Sequence, residues 1–126
     1  MHLSRKRARN VIEEIIRKYL LDALKIPVLL EYPKDTAEKF VVFEVMDRQK
    51  NDYIDAVTIE FNSYAESKFK AAELDKEVRK LIENIIEDNR ISGVEFGGGS
   101  SGDSNDESIK RYRYRCYYNF FYYEEE

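Results

Sequence analysis

The feature that most constrains this chain is a change of hydrophobic period between Asp52 and Ile86. Val57, Ile59 and Phe61 are apolar, while Thr58, Glu60 and Asn62 between and after them are polar. Alternation of period two predicts a strand with one buried face. After Ser63 to Ser67 the period lengthens. Leu74, Val78, Leu81, Ile82, Ile85 and Ile86 recur three and four apart, which predicts an amphipathic helix from about Ser67 to Glu87. A strand apolar on one face needs a second layer, and the helix that follows it is the obvious cover.

The rest of the chain extends this unit. Ile12, Ile15, Ile16, Tyr19, Leu20, Ala23 and Leu24 form a second helical stripe, predicting a helix over about 5–25 that ends at Ile26–Pro27. Residues 28–32 predict a short strand. Phe40 to Met46 predicts a second, with Val41, Phe43 and Val45 on one face. Phe40, Val42 and Met46 make its other face apolar enough to be covered too. Asp47 to Asp52 is polar throughout and reads as the loop of an antiparallel hairpin. Ile91 to Phe96 predicts a fourth strand, followed by a flexible Gly-Gly-Gly-Ser-Ser-Gly loop at 97–102 and an acidic stretch at 103–107. In the last strand, Ile109 to Tyr123, Tyr112, Tyr114, Cys116, Tyr118, Phe120 and Tyr122 share one face. Arg111, Arg113, Arg115, Tyr117, Asn119, Phe121 and Tyr123 share the other. The expected class is α/β, more closely α+β: a mostly antiparallel sheet with two amphipathic helices packed on it, in the order α-β-β-β-α-β-β. One domain spanning 1–126 fits the length, with residues 1–8 as a basic arm and 97–107 as a flexible loop.

Composition narrows the function classes. A net charge of −4 argues against general duplex DNA binding as the main task. A single cysteine, Cys116, excludes an internal disulfide and a multi-cysteine metal site. It lies in phase with Tyr114 and Tyr118, as a packed thiol would, and no mid-chain histidine is present to activate it. No apolar run approaches the ~20 residues of a membrane span, no secretory signal is visible, and a reducing cytosolic setting suits the cysteine usage.

Two clusters have two readings each. Arg111, Arg113 and Arg115 interleave with tyrosines, as in surfaces that hold phosphates and stack bases; they also fit a solvent-facing strand face. Arg5, Lys6, Arg7 and Arg9 fit phosphate contacts, or a solvated helix start. Glu44, Asp47, Asp52, Asp55 and Glu60 gather near the central hairpin, but clustering is expected among 25 acidic residues. There is no P-loop and no His-Glu-x-x-His, and the triple glycine at 97–99 follows a strand but does not lead into a helix, so phosphate cradling is unsupported. No enzyme activity, cofactor or metal is expected.

The run from Phe40 to Ile86 resembles the tail-terminator and tail-completion proteins of long-tailed bacteriophages and prophages. Phe40-Val41-Val42-Phe43-Glu44-Val45, Asn51 through Phe61, Ser63-Tyr64-Ala65-Glu66-Ser67 and Ala71-Ala72-Glu73-Leu74 with Val78 carry the likeness, with Arg113-Tyr114 or Arg111-Tyr112 in the closing strand. The chain departs from the pattern at the tip of its last hairpin, where Gly-Gly-Gly-Ser-Ser-Gly replaces a longer, aromatic-containing segment. The resemblance implies a virion protein made in the bacterial host cytoplasm. It would form a homo-oligomeric ring, commonly a hexamer, that caps the tail tube, ends its polymerisation and offers a surface to the head–tail connector. Its expected partners are its own copies, the tube protein and the connector, with no membrane and no direct nucleic-acid contact. The candidate partner contacts are Arg48, Asn51, Asp52 and Tyr53 on the first hairpin, Gly98, Ser100 and Asp103 in the glycine-serine loop, and Arg111, Arg113 and Arg115 on the last strand. The alternatives are a head–tail joining protein, a small nucleic-acid-binding module using the two basic clusters, and a carboxylate-metal nuclease built on Glu44 and Asp55.

Overall fold

A computed structural model describes the backbone of residues 2–35, 37–50, 54–100 and 111–123, and the side chains of 12–35, 37–50, 54–99 and 111–123. The elements are α1 (His2–Leu24), β1 (Val28–Leu29), β2 (Lys39–Lys50), β3 (Asp55–Ala65), α2 (Lys68–Asn84) with a 3-10 turn (Ile85–Glu87), β4 (Ile91–Ser100) and β5 (Tyr112–Tyr122). This is the α-β-β-β-α-β-β order that the periodicities predict. The strands form one sheet in the order β1-β2-β3-β5-β4. All pairings are antiparallel except β1 with β2. β4 is therefore parallel to β3, with β5 inserted between them and α2 as the crossover, a split β-α-β unit.

β3 lies in the middle because it satisfies both requirements of a central strand. It is rich in β-branched and aromatic residues, and it contains no proline. Every residue from Asp55 to Ala65 has a partner both on β5 and on β2. Val57, Ile59 and Phe61 face the helices and are at most 1% exposed. The core around them takes Ile12, Ile15, Ile16 and Leu20 from α1, Leu74, Val78 and Ile82 from α2, Val41 and Phe43 from β2, and Cys116, Tyr118 and Phe120 from β5. Both helices thus cover the same face of the sheet. Ser67 starts α2, its hydroxyl oxygen accepting from the Lys70 N–H at 3.2 Å. Lys25, at φ +56°, ends α1 two residues before the proline, its N–H donating to the Leu21 carbonyl at 2.9 Å.

Several boundaries differ from the sequence expectation. The first strand is only Val28–Leu29. Ala23 and Ile86, at the ends of their helical stripes, are exposed, as is Met46. Asp47 to Lys50 are not loop: they continue β2 and pair with Thr58 to Asp55. The β-bulge between Val45 and Asp47 makes this possible, because it shifts the alternation by one and turns Arg48 to the helix side, where it pairs with Glu13. Gly97 to Ser100 are likewise strand, paired with β5 as far as Arg115. A Cβ at Gly99 would collide with the guanidinium of Arg79, which lies over the strand at this point and 5.3 Å from the centre of the Phe96 ring. The glycine therefore admits a side chain from α2 rather than loosening the backbone. The remainder of the glycine-serine loop, with the acidic stretch after it, lies outside the described residues.

The turn into β4 is closed by Asp88. Its carboxylate accepts from the Arg90 backbone N–H at 2.9 Å and from the Arg90 guanidinium at 2.9 and 2.6 Å. The Arg90 side chain, and then its backbone N–H, hold the Asp88 carboxyl down to about 2. A carboxyl with a depressed folded pKa contributes stability that is present above its unfolded value, near 4, and lost as pH falls through the folded value. Asp88→Asn is expected to flatten the stability change between about pH 4 and pH 2, measured by urea denaturation at a series of pH values. An unchanged acid limb would contradict this role.

Candidate functional site

Both helices lie on one side, and among the described residues no helix covers the opposite face of the sheet. Its residues follow from the register. Phe40, Tyr64 and Arg113 form one cross-strand row, and Val42, Asn62, Arg115 and Ser100 the next. Then come Glu44, Glu60, Tyr117 and Gly98, followed by Asp47, Thr58, Asn119 and Glu95. Gln49, Ala56, Phe121 and Gly93 complete the face towards the first hairpin.

One end of this face is closed by the segment joining β1 to β2. Phe40, Val42 and Tyr64 form a second, smaller core there, with Leu29 and Ala37 against it. Phe40 stacks on Tyr64 at 4.8 Å between ring centres, and Tyr32 meets Tyr64 edge-on at 5.5 Å. The hydroxyls of Tyr32 and Tyr64 are in hydrogen-bond contact. Burial, then the Tyr32 hydroxyl, raise the Tyr64 phenol above its ordinary value, while Arg113 acts in the opposite direction. Arg111 Nε donates to the Ala37 carbonyl at 3.1 Å. The doubly apolar pattern of Phe40 and Val42 is thus explained by a loop, not by a helix, on the second side.

The middle of the face is polar. Glu60 is 8% exposed and Asn62 5%, although no helix covers them. Asn62 Nδ2 donates to Glu60 Oε1 at 3.0 Å and to the Val42 carbonyl at 3.4 Å, whereas Asn62 Oδ1 is buried without a partner among the described residues. Arg115 lies 3.8 Å from Glu60 Oε2, outside hydrogen-bond reach. The Thr58 hydroxyl donates to Asn119 Oδ1 at 2.6 Å. Glu44 sits directly opposite Glu60 on the neighbouring strand and is exposed. Like charges in that relation repel.

The candidate contacts read from the sequence separate accordingly. Gly98, Arg111, Arg113 and Arg115 come together on this face, with Ser100 beside Arg115 in the register. Arg48 does not join them, because the bulge places it on the helix side against Glu13. Asn51, Asp52, Tyr53 and Asp103 lie outside the described residues. The sequence reading placed Tyr117 with the arginines on this face of the last strand, but it did not single out Tyr32, Asn62 or Tyr64 for it. For Asn62 the signal was the polar half of the β3 alternation, which becomes informative only once both helices are known to lie on the other side. No group of three or more His, Cys, Asp and Glu suited to a metal occurs among the described residues. No helix among them is long and apolar enough to cross a membrane.

On the covered face, Cys116 lies in a buried polar cluster. Asp75, 6% exposed, is paired with Arg79 at 2.9 Å, and the Tyr118 hydroxyl donates to Glu83 Oε2 at 2.9 Å. Burial, then the nearby Asp75 charge, push the Cys116 thiol up to about 12. Burial likewise raises the Asp75 carboxyl, against the pull of Arg79. A cleft of about 490 Å³ lies elsewhere, between α1 and the turn before β4, lined by Glu14, Lys18, Tyr19, Asp22, Asp88 and Arg90.

No protein-family model matches the chain, and no curated protein matches it.

The environment of Cys116 makes a direct prediction. With the thiol at about 12, the thiolate fraction at pH 8 is on the order of one in ten thousand, and the sulfur is buried as well. Labelling by a thiol reagent at pH 8 is expected to proceed only as fast as the protein opens, rising sharply at the denaturant midpoint. Rapid stoichiometric labelling of the folded chain would contradict this placement.

Proposed function

We propose that this chain is a non-enzymatic structural subunit of a long-tailed phage or prophage particle. It would cap the tail tube as a homo-oligomeric ring and present a surface to the head connector. The supporting observation is a sheet face that no helix covers among the described residues, in a chain of order α-β-β-β-α-β-β. A half-buried polar face on a two-layer fold suits contact with another protein better than solvation alone, because Glu60 and Asn62 are already withdrawn from water.

Capping needs no bond chemistry. It needs a surface that accepts the last ring of tube subunits and a second surface that does not repeat the first. A closed ring of this kind is heterologous, each copy using two different patches. The outer edges of the sheet suit lateral contacts less well. β2 carries a bulge and the charged run Asp47 to Lys50, and β4 carries register shifts at Ile91/Gly93 and Phe96/Gly98. Bulges and charges of this sort blunt strand edges against open-ended pairing. The nucleic-acid alternative is weakened by the arginine stripe itself, since Arg111 and Arg113 have partners within the chain and Arg115 has Glu60 as a neighbour.

The test is polymerisation of a phage tail tube protein in the presence of the purified chain, followed by negative-stain imaging and native mass measurement. Rings with a central hole at tube ends, and tubes that stop lengthening once the chain is added, are the expected result. Unchanged tube growth with no end density would overturn the proposal. Rings that bind connector but never tube would assign the chain to the head–tail joint instead.

A further inference from the structure

We infer that the Glu44–Glu60–Tyr117 row on the helix-free face is a docking site for cationic side chains, and that its occupant is the basic N-terminal segment, Arg5 to Arg9, of a second copy of this chain.

The row has the composition that recognises a lysine or arginine. Glu44 and Glu60 are direct cross-strand partners, and Tyr117 is the next partner along, on β5. Strands lie about 4.8 Å apart, so two carboxylates and a phenol ring fall within one side chain's reach of each other. A guanidinium or ammonium held there would face carboxylate oxygens on one side and an aromatic ring on the other. The last position of the row is Gly98, where an added Cβ would meet nothing nearer than the Tyr117 ring at 4.0 Å. The outer flank of the tyrosine therefore has no side chain beside it in the row.

The row is also short of positive charge. Among the described residues the guanidinium paired with these carboxylates is Arg115, at 3.8 Å from Glu60 and beyond hydrogen-bond distance. Next to it, Asn62 Oδ1 is buried with no donor among the described residues. Asp47 and Glu95 in the neighbouring row add to the negative field of the face. A cation brought to this row would relieve the Glu44–Glu60 repulsion.

The chain carries its own matching ligand. Residues 1–10 contain Arg5, Lys6, Arg7 and Arg9 and no acidic residue. They sit at the start of α1, where cations oppose the helix dipole and gain from an anionic partner. The helix they continue is packed on the opposite face of the sheet, through Ile12, Ile15, Ile16 and Leu20. α1 thus packs on the other side of the sheet, so the occupant is taken from a second copy. Repeated head to tail, this contact is heterologous, as the ring in the proposed function requires, and to that extent the inference rests on that reading.

The test is sedimentation velocity of the full chain at low and high salt, with two charge-reversed variants. Wild type is expected to self-associate at about 50 mM salt and to dissociate as screening increases. Arg5→Glu/Lys6→Glu/Arg7→Glu and Glu44→Lys/Glu60→Lys are each expected to weaken association by about tenfold or more, the sum of several exposed ion pairs. Mixed together, the two variants are expected to associate again, because an acidic arm then meets a basic face; this also shows that both are folded. A synthetic peptide of residues 1–10 should compete with the wild-type contact. The inference is overturned by a wild-type monomer at every salt concentration, by association that the Glu44/Glu60 variant leaves unchanged, or by a mixture that fails to recover. If the chain caps tubes while the charge variants associate like wild type, the docking site is wrong and the capping role stands. If the arm–face contact is found but tubes grow unchecked, the reverse holds.

Discussion

The fold depends on the pairing of β3 with β2 and β5 at once. Phe61 sits opposite Phe43 on one side and Cys116 on the other, and the same side chain meets Phe43, Tyr118 and Phe120 through ring contacts. Those contacts fix the register of three strands in a single place. A slip of one residue in either pairing would turn Val57, Ile59 and Phe61 away from the helices and put Glu60 and Asn62 into the core. The helices then find their positions by covering the only large apolar face available.

That arrangement accounts for the two-sided character of the molecule. One face is a layer of mostly aliphatic and aromatic side chains beneath α1 and α2, with the Asp75–Arg79 pair set into it beside Cys116. The other is polar in the middle, with a loop-covered aromatic patch at one end. On the second face Glu60 and Asn62 are withdrawn from water, and Asn62 Oδ1 has no partner among the described residues. Burying polar groups beside like charge costs stability unless something else depends on them. If a neighbouring chain completes this surface, as proposed, that contact offsets the cost, and no helix among the described residues occupies the face.

The parts of this architecture that were legible in the sequence are those with a strong side-chain period. The stripe from Ile12 to Leu20, the alternation in β3 and the two faces of β5 could all be read from spacing alone. Two strand segments could not. Asp47 to Lys50 have no apolar alternation because they project past the core, where a strand can be polar on both faces. Gly97 to Ser100 have almost no side chains to show a period, and they are held by backbone pairing and by Arg79 from above. The candidate surface was half legible. The arginine stripe stood out, but its partners were hidden, because alternation shows that one face is apolar without showing which elements will cover the other. The bulge at Met46 was invisible in composition, and it moved Arg48 to the opposite side of the sheet.

The split of β3 from β4 by β5 has a consequence for how the chain reaches this structure. β2 and β3 are neighbours in sequence and can zip from their common hairpin, and α2 follows without delay. The centre of the sheet, however, joins Ile59 to Tyr118, two residues separated by the whole of α2 and β4. Closing that span has an entropic cost before any of its contacts form. Until β5 inserts, β3 and β4 each present a bare edge towards the gap it will fill. The last strand in the chain is therefore also the keystone of the sheet. On a ribosome, the protein could not complete its core until β5 had been made.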